Sequence, residues 1–137
     1  MYTYIETVED LSFLNKELLE KSYLGVDTEF RRTTKDNMRL ALLQINDGEE
    51  IYLIDTILID HPDNVSDFLF SNDVTKIFHS CKEDLEAVYS WTGRVMENIF
   101  DTQLANAFID GQYLIGYQGL VEERLDIILD KNETRSN

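Results

Sequence analysis

The stretch Tyr23-Leu24-Gly25-Val26-Asp27-Thr28-Glu29-Phe30 is apolar and strand-prone, yet it carries two carboxylates two positions apart. Side chains alternate along a strand, so Gly25, Asp27 and Glu29 share one face, and Leu24, Val26, Thr28 and Phe30 take the other. A buried strand does not ordinarily carry two acids on one face, because an unpaired ionised carboxylate costs on the order of several kcal/mol to desolvate. A fold built on this strand is therefore expected to set something cationic against the pair. The candidates are Arg31 or Arg32 next door, a distant Lys or Arg, or a divalent metal.

The chain of 137 residues is one domain's worth, and its 43% apolar content suffices for a real core. Twelve basic residues against twenty-seven acidic give 12 − 27 = −15, which argues against a protein that grips nucleic acid by bulk charge. That balance does not exclude a nuclease whose acids hold metals, since bound cations reverse the local field. The single cysteine, Cys81, excludes an internal disulfide and fits a reducing compartment. The start, Met1 to Glu6, lacks the basic and apolar regions of a signal peptide, and no apolar run approaches a membrane span. A soluble cytoplasmic protein with no membrane partner is the default expectation.

Thr7-Val8-Glu9-Asp10 opens like a capping box, and Leu11, Leu14, Leu18 and Leu19 follow at helical spacing. After the acidic strand, Arg31 to Asn37 is polar and reads as a loop. Met38 to Asn46 is strongly strand-like, Asn46-Asp47-Gly48 supplies a turn, and Ile51 to Ile54 makes the next strand. Three strands on short links imply an antiparallel meander. Asp63 or Asn64 is expected to cap a short helix through Phe70. Val74 to Phe78 reads as a buried strand, followed by a helix with Ser80 as its cap and Gly93 near its end. Asn98 to Phe100 reads as a brief strand, Asp101 begins a helix through Ile109, and Leu120 to Leu129 is a last helix before a polar tail. The fold class is α/β: a mixed sheet in which an antiparallel meander precedes alternating strands and helices.

Three acids are candidates for chemistry. Asp27 and Glu29 share a strand face, and Asp84 lies early in a helix that follows another strand. Strand-borne carboxylates near one on a flanking helix can share Mg²⁺, which favours oxygen ligands. Two such ions about 4 Å apart can activate a water and stabilise the leaving oxygen of a phosphodiester. The plainer role for each acid alone is a solvated or ion-paired side chain. His79 reads first as a strand-end histidine with backbone hydrogen bonds, Cys81 as a small buried residue, and Asp101 as an N-cap.

The joint pattern is more specific than any of its members. Asp27-Thr28-Glu29-Phe30, Leu42-Leu43-Gln44-Ile45 before an Asp-Gly turn, His79 through Glu86, Phe100-Asp101-Thr102-Gln103, Leu129-Asp130-Lys131 and Thr134-Arg135-Ser136 occur in order. This set resembles ribonuclease D, of the DEDD 3′–5′ exonucleases, from about Tyr23 to the last residue. The resemblance implies a ribonuclease H-like fold and hydrolysis of RNA from its 3′ end with two divalent ions, Mg²⁺ or Mn²⁺. By position, Asp27 and Glu29 match the first exonuclease motif and Asp84 the second, as catalytic residues and metal ligands. Phe30 falls where the family places a residue against the terminal nucleotide. The partners implied are RNA 3′ ends, with structured or tRNA-like precursors among them.

The family's third motif, a tyrosine followed four positions later by the fourth acid, has no counterpart after Asp84. The expectation is thus a single exonuclease domain over residues 1–137, incomplete at its C-terminus and impaired in catalysis. Self-association or a partner chain would then cover the truncated edge. The alternative is a non-catalytic nucleic-acid or protein-binding module that retains the fold. DNA-proofreading relatives use the same acids, but His79-Ser80-Cys81 and Thr134-Arg135-Ser136 point to the RNA branch.

Overall fold

A computed structural model describes residues 2–34, 37–79 and 81–103. Its framework is a six-stranded sheet of β1 (Tyr2–Ile5), β2 (Tyr23–Thr34), β3 (Asn37–Asn46), β4 (Ile51–Asp55), β5 (Thr75–Phe78) and β6 (Ile99–Asp101). The strands lie in the order β1-β4-β3-β2-β5-β6. β2, β3 and β4 form the antiparallel meander, while β1 joins β4, β5 joins β2, and β6 joins β5 in parallel. Helices α1 (Val8–Leu18) and α2 (Lys82–Thr92) and a single 3-10 turn at Asp67–Leu69 complete the described elements. This is the mixed α/β sheet expected. Among the described residues, no helix is long and apolar enough to cross a membrane.

Local chemistry explains where the elements start and stop. The Thr7 hydroxyl oxygen accepts the Asp10 N–H at 3.2 Å, and Leu11, Leu14 and Leu18 then face inward from α1. α2 ends at Gly93, whose φ of +70° suits glycine and whose N–H returns to the Tyr89 carbonyl at 2.8 Å. Leucines of α1, Phe68 and Leu69 of the 3-10 turn, and Leu85 and Val88 of α2 share one core with Leu24, Val26, Leu43, Ile45 and Ile54 of the sheet. Both helices therefore serve the face of β2 opposite its acids.

Three local expectations change. Tyr2–Ile5, which carries no strand signal in the sequence, is an edge strand whose register runs from Tyr2 opposite Ile51 to Ile5 opposite Ile54. Arg31 to Thr34 and Asn37 are strand rather than loop: β2 continues to Thr34 and β3 starts at Asn37, so these polar residues are solvated strand arms; residues 35 and 36 lie outside the described residues. The helix expected through Phe70 is only a 3-10 turn, and Asn64 sits in the left-handed region at φ +68°. α2 begins after Cys81 without a side-chain cap from that residue. The expected Ser80 cap, and the helices expected through Ile109 and over Leu120 to Leu129, lie outside the described residues.

Two features of β2 set the placement of its acids. Its register puts Asp27 opposite Gln44 and Glu29 opposite Leu42, and then slips, so that Phe30 faces Leu40 and Ala41 is the extra residue of a β-bulge. On the other side, β5 pairs with β2 only from Tyr23 to Gly25. Beyond Gly25 that edge of β2 has no strand partner among the described residues, and α2 starts beside it.

Candidate active site

Alternation along β2 places the acids as expected: Val26 and Thr28 are buried, and Asp27 and Glu29 are exposed on the opposite face. The pair faces water, so desolvation does not demand the cation that a buried strand would need. Among the described residues no cationic side chain forms an ion pair with either acid. The neighbouring Arg32 instead reaches α2, 3.4 Å from Glu86 Oε2 and 3.7 Å from Glu83 Oε2.

Asp84 comes to β2 from the first turn of α2. Its Oδ1 accepts a hydrogen bond from the Thr28 hydroxyl, which lies on the core face. The Thr28 N–H donates to Asp27 Oδ1 at 3.0 Å. Burial pushes the Asp84 carboxyl up to about 6; the Thr28 bond opposes that rise, and the negative charges of Asp27, Glu83 and Asp101 add to it. Asp27 is thus close enough for its charge to be felt by Asp84.

Asp101, read from sequence as an N-cap, accepts the Gln103 N–H at 2.9 Å in that role. It also has a second role that the sequence did not show. Its Oδ2 accepts the Cys81 N–H at 2.7 Å and so ties β6 to the start of α2. An Asp closing a strand shortly after a helix on the neighbouring strand is the available signal, but only the topology pairs the two. Cys81 is buried, and burial first, then its bond to Asp101, pushes its thiol up to about 12, in keeping with a packing role. His79 is a strand-end residue, but its ring is held by a side chain: Nδ1 lies 3.0 Å from Thr102 Oγ1. A cleft of about 270 Å³ runs from Asp27 past Gly25 and Gln44 to these two.

The structure therefore brings Asp27 and Glu29 onto one open face and links Asp84 to the same strand through Thr28. Phe30 lies on the other face of β2 from Asp27 and Glu29, half-buried against the hydrophobic cluster, on the same face as Thr28. Carboxylate oxygens, here with no cationic partner among the described residues, are the donor type that suits a hard divalent ion such as Mg²⁺, so the chemistry of the set fits one. Among the described residues, no three acidic, histidine or cysteine groups are gathered closely enough to form a ready metal cluster.

Comparison with known proteins gives this arrangement a context. A family profile described as 3′–5′ exonuclease matches residues 2–137. Ribonuclease D of Pseudomonas paraeruginosa is 39% identical over 122 residues, covering 89% of this chain and 32% of the relative. That of Desulfotalea psychrophila is 36% identical over 135 residues, covering 97% and 36%. The crystal structure of Escherichia coli RNase D, described as an exoribonuclease involved in structured RNA processing, superimposes with a TM-score of 0.74 at 32% identity, covering 80% of this chain and 29% of that one. The chain spans about a third of the length of the curated relatives it matches. With the profile running from the first strand to the last residue, this chain belongs to the 3′–5′ exonuclease family and is similar to its ribonuclease D members.

Proposed function

We propose that this chain forms part of a metal-dependent exoribonuclease domain that removes nucleotides from RNA 3′ ends. One observation carries the reading: Asp27 and Glu29 stand exposed on β2, and Asp84 starts the helix beside the edge of that strand that has no strand partner among the described residues. The choice of RNA over DNA follows from similarity to ribonuclease D.

Asp27, Glu29 and Asp84 would hold the divalent ions, two in number, with Mg²⁺ or Mn²⁺ both compatible with oxygen donors. When bound, such ions make water a better nucleophile and neutralise charge on the phosphate and its leaving oxygen. The protein's own part is to hold three carboxylates in place. The Thr28 N–H fixes Asp27, strand alternation fixes Glu29, and α2 delivers Asp84. An acidic surface repels RNA, so a carboxylate site without bound cations is a poor place for a phosphodiester. These residues supply three of the four acids that the family resemblance implies. By themselves they are therefore expected to turn over slowly, since each lost preorganised group costs roughly two to three orders of magnitude.

The test is a 5′-labelled, 3′-hydroxyl single-stranded RNA incubated with the chain and Mn²⁺. Slow stepwise shortening with release of 5′-mononucleotides, lost in Asp27→Ala and in Asp84→Ala, supports the reading. Grafting on a segment with the tyrosine and the fourth acid should accelerate it. Brisk digestion by the 137 residues that survives Asp27→Ala overturns it. A second reading, a non-catalytic module that keeps the fold, is favoured by the lack of a gathered metal cluster among the described residues. It predicts no cleavage even with the graft, and no Mn²⁺-dependent stabilisation that Asp27→Asn removes.

A further inference from the structure

Thr28 stands between the two strand acids in sequence but points to the opposite face. It is buried at mid-strand opposite Leu43, and it donates twice. Its N–H goes to Asp27 Oδ1 and its hydroxyl to Asp84 Oδ1, 56 residues further along the chain. A β-branched side chain in a strand has few χ1 choices, so its hydroxyl is held at a fixed place relative to the backbone that carries Asp27 and Glu29.

The third acid has no such covalent link to the other two. Asp84 belongs to α2, which is tied to the sheet at its start by the Cys81 N–H to Asp101 bond and further along by Arg32 to Glu86. Those contacts place the helix. Among the described residues, the hydrogen bond from Thr28 is the one that places the Asp84 carboxylate itself, and it engages Oδ1.

We infer that Thr28 is the positioning residue that sets Asp84 against Asp27 and Glu29, so that one three-residue segment orients all three metal-ligand candidates. This rests on the metal-dependent reading of the site and adds to it a residue that is not itself a ligand. Outer groups that orient a metal ligand typically affect metal affinity by roughly 10–100-fold, which gives the effect a measurable size.

The experiment measures Mn²⁺ affinity of the chain directly, by electron paramagnetic resonance of free Mn²⁺, with thermal unfolding in EDTA as the control for folding. Thr28→Val keeps the shape and removes the hydroxyl, Thr28→Ser keeps the hydroxyl, and Thr28→Ala guards against a Val variant that misfolds. The expected result is about a ten-fold or greater loss of affinity in Thr28→Val and Thr28→Ala. Thr28→Ser should restore affinity to within about three-fold of the parent, and Thr28→Val should have little further effect in an Asp84→Asn background. Folded Val and Ala variants that bind Mn²⁺ as the parent does would overturn the inference while leaving the metal reading intact. Equal losses in Ser, Val and Ala would also overturn it, since packing rather than the hydroxyl would then be at work. A parent whose Mn²⁺ binding is absent, or unchanged by Asp27→Asn and Asp84→Asn, would remove the metal reading and the inference with it.

Discussion

Lys76 is fully buried on the core side of β5, its ammonium donating to the Ser71 and Val74 carbonyls, both at 2.7 Å. Burial lowers its pKa from 10.5 to about 8, with Glu97 only partly opposing the fall. Between those two values the unfolded chain holds a proton that the native chain has lost, so this lysine makes stability rise with pH across that window. Below about pH 8 both states are protonated and the full cost of burying the charge is present. Urea unfolding of the parent and of Lys76→Met should therefore converge or cross as pH rises from about 8 to 10, with a relative gain for the parent of about 2 kcal/mol. Parallel pH profiles would show that Lys76 is not buried in its charged form. Cys81 makes a companion case: with its thiol raised to about 12, it should resist alkylation at about pH 8 until the chain is unfolded, read by mass spectrometry. At this scale the sequence was unevenly informative. Asp27 and Glu29 were legible because strand alternation is local, whereas the partners of Thr28, Lys76 and Asp101 are set by distant segments. Alternation put Thr28 on the apolar face, but nothing local names the distant carboxylate that its hydroxyl meets.

Among the elements, α2 matters most because it presents Asp84, and its two ends are held by different means. Gly93 closes it in a left-handed conformation, so Gly93→Ala should cost about 1 kcal/mol in urea unfolding. Asp101→Ala leaves the buried Cys81 N–H without its acceptor and should cost roughly 1–3 kcal/mol. The larger loss is expected at the start, and the reverse order would mean that the Asp101 contact is dispensable. The caps at Thr7 and Gly93 and the three-strand meander could all be read from residue type. β1 was hidden by its shortness, and the strand arms at 31–34 and 37 by their polarity, since polar residues suit solvated strand arms as well as loops. The bulge left a readable trace: the core positions of β3 run Met38, Leu40, Leu43, Ile45, a period of two with one extra residue inserted.

For the whole molecule, charge is the governing quantity. A net −15 leaves few phosphates to be neutralised by Lys or Arg, so RNA binding should be weak. Raising KCl from about 50 to 200 mM should change affinity by less than about ten-fold, where a basic nucleic-acid binder would lose far more. Fluorescence anisotropy with labelled single-stranded RNA checks this, and a steep loss would show a basic surface concealed in the total. The overall α/β class was legible because alternating apolar patterns and turn residues report it locally. The order of the strands was less so, since β1 and β5 reach their partners across the chain. The early end of the β5 pairing has one more consequence. Strand edges without partners are templates on which other chains can add, the first step toward fibrillar aggregates. A protein that displays carboxylates beside such an edge cannot simply seal it with another strand. Here the stretch beyond Gly25, without a strand partner among the described residues, runs out through Arg31 and Arg32, and Arg32 draws the acidic start of α2 alongside it. Charge and the neighbouring helix thus discourage a second molecule from adding a strand there.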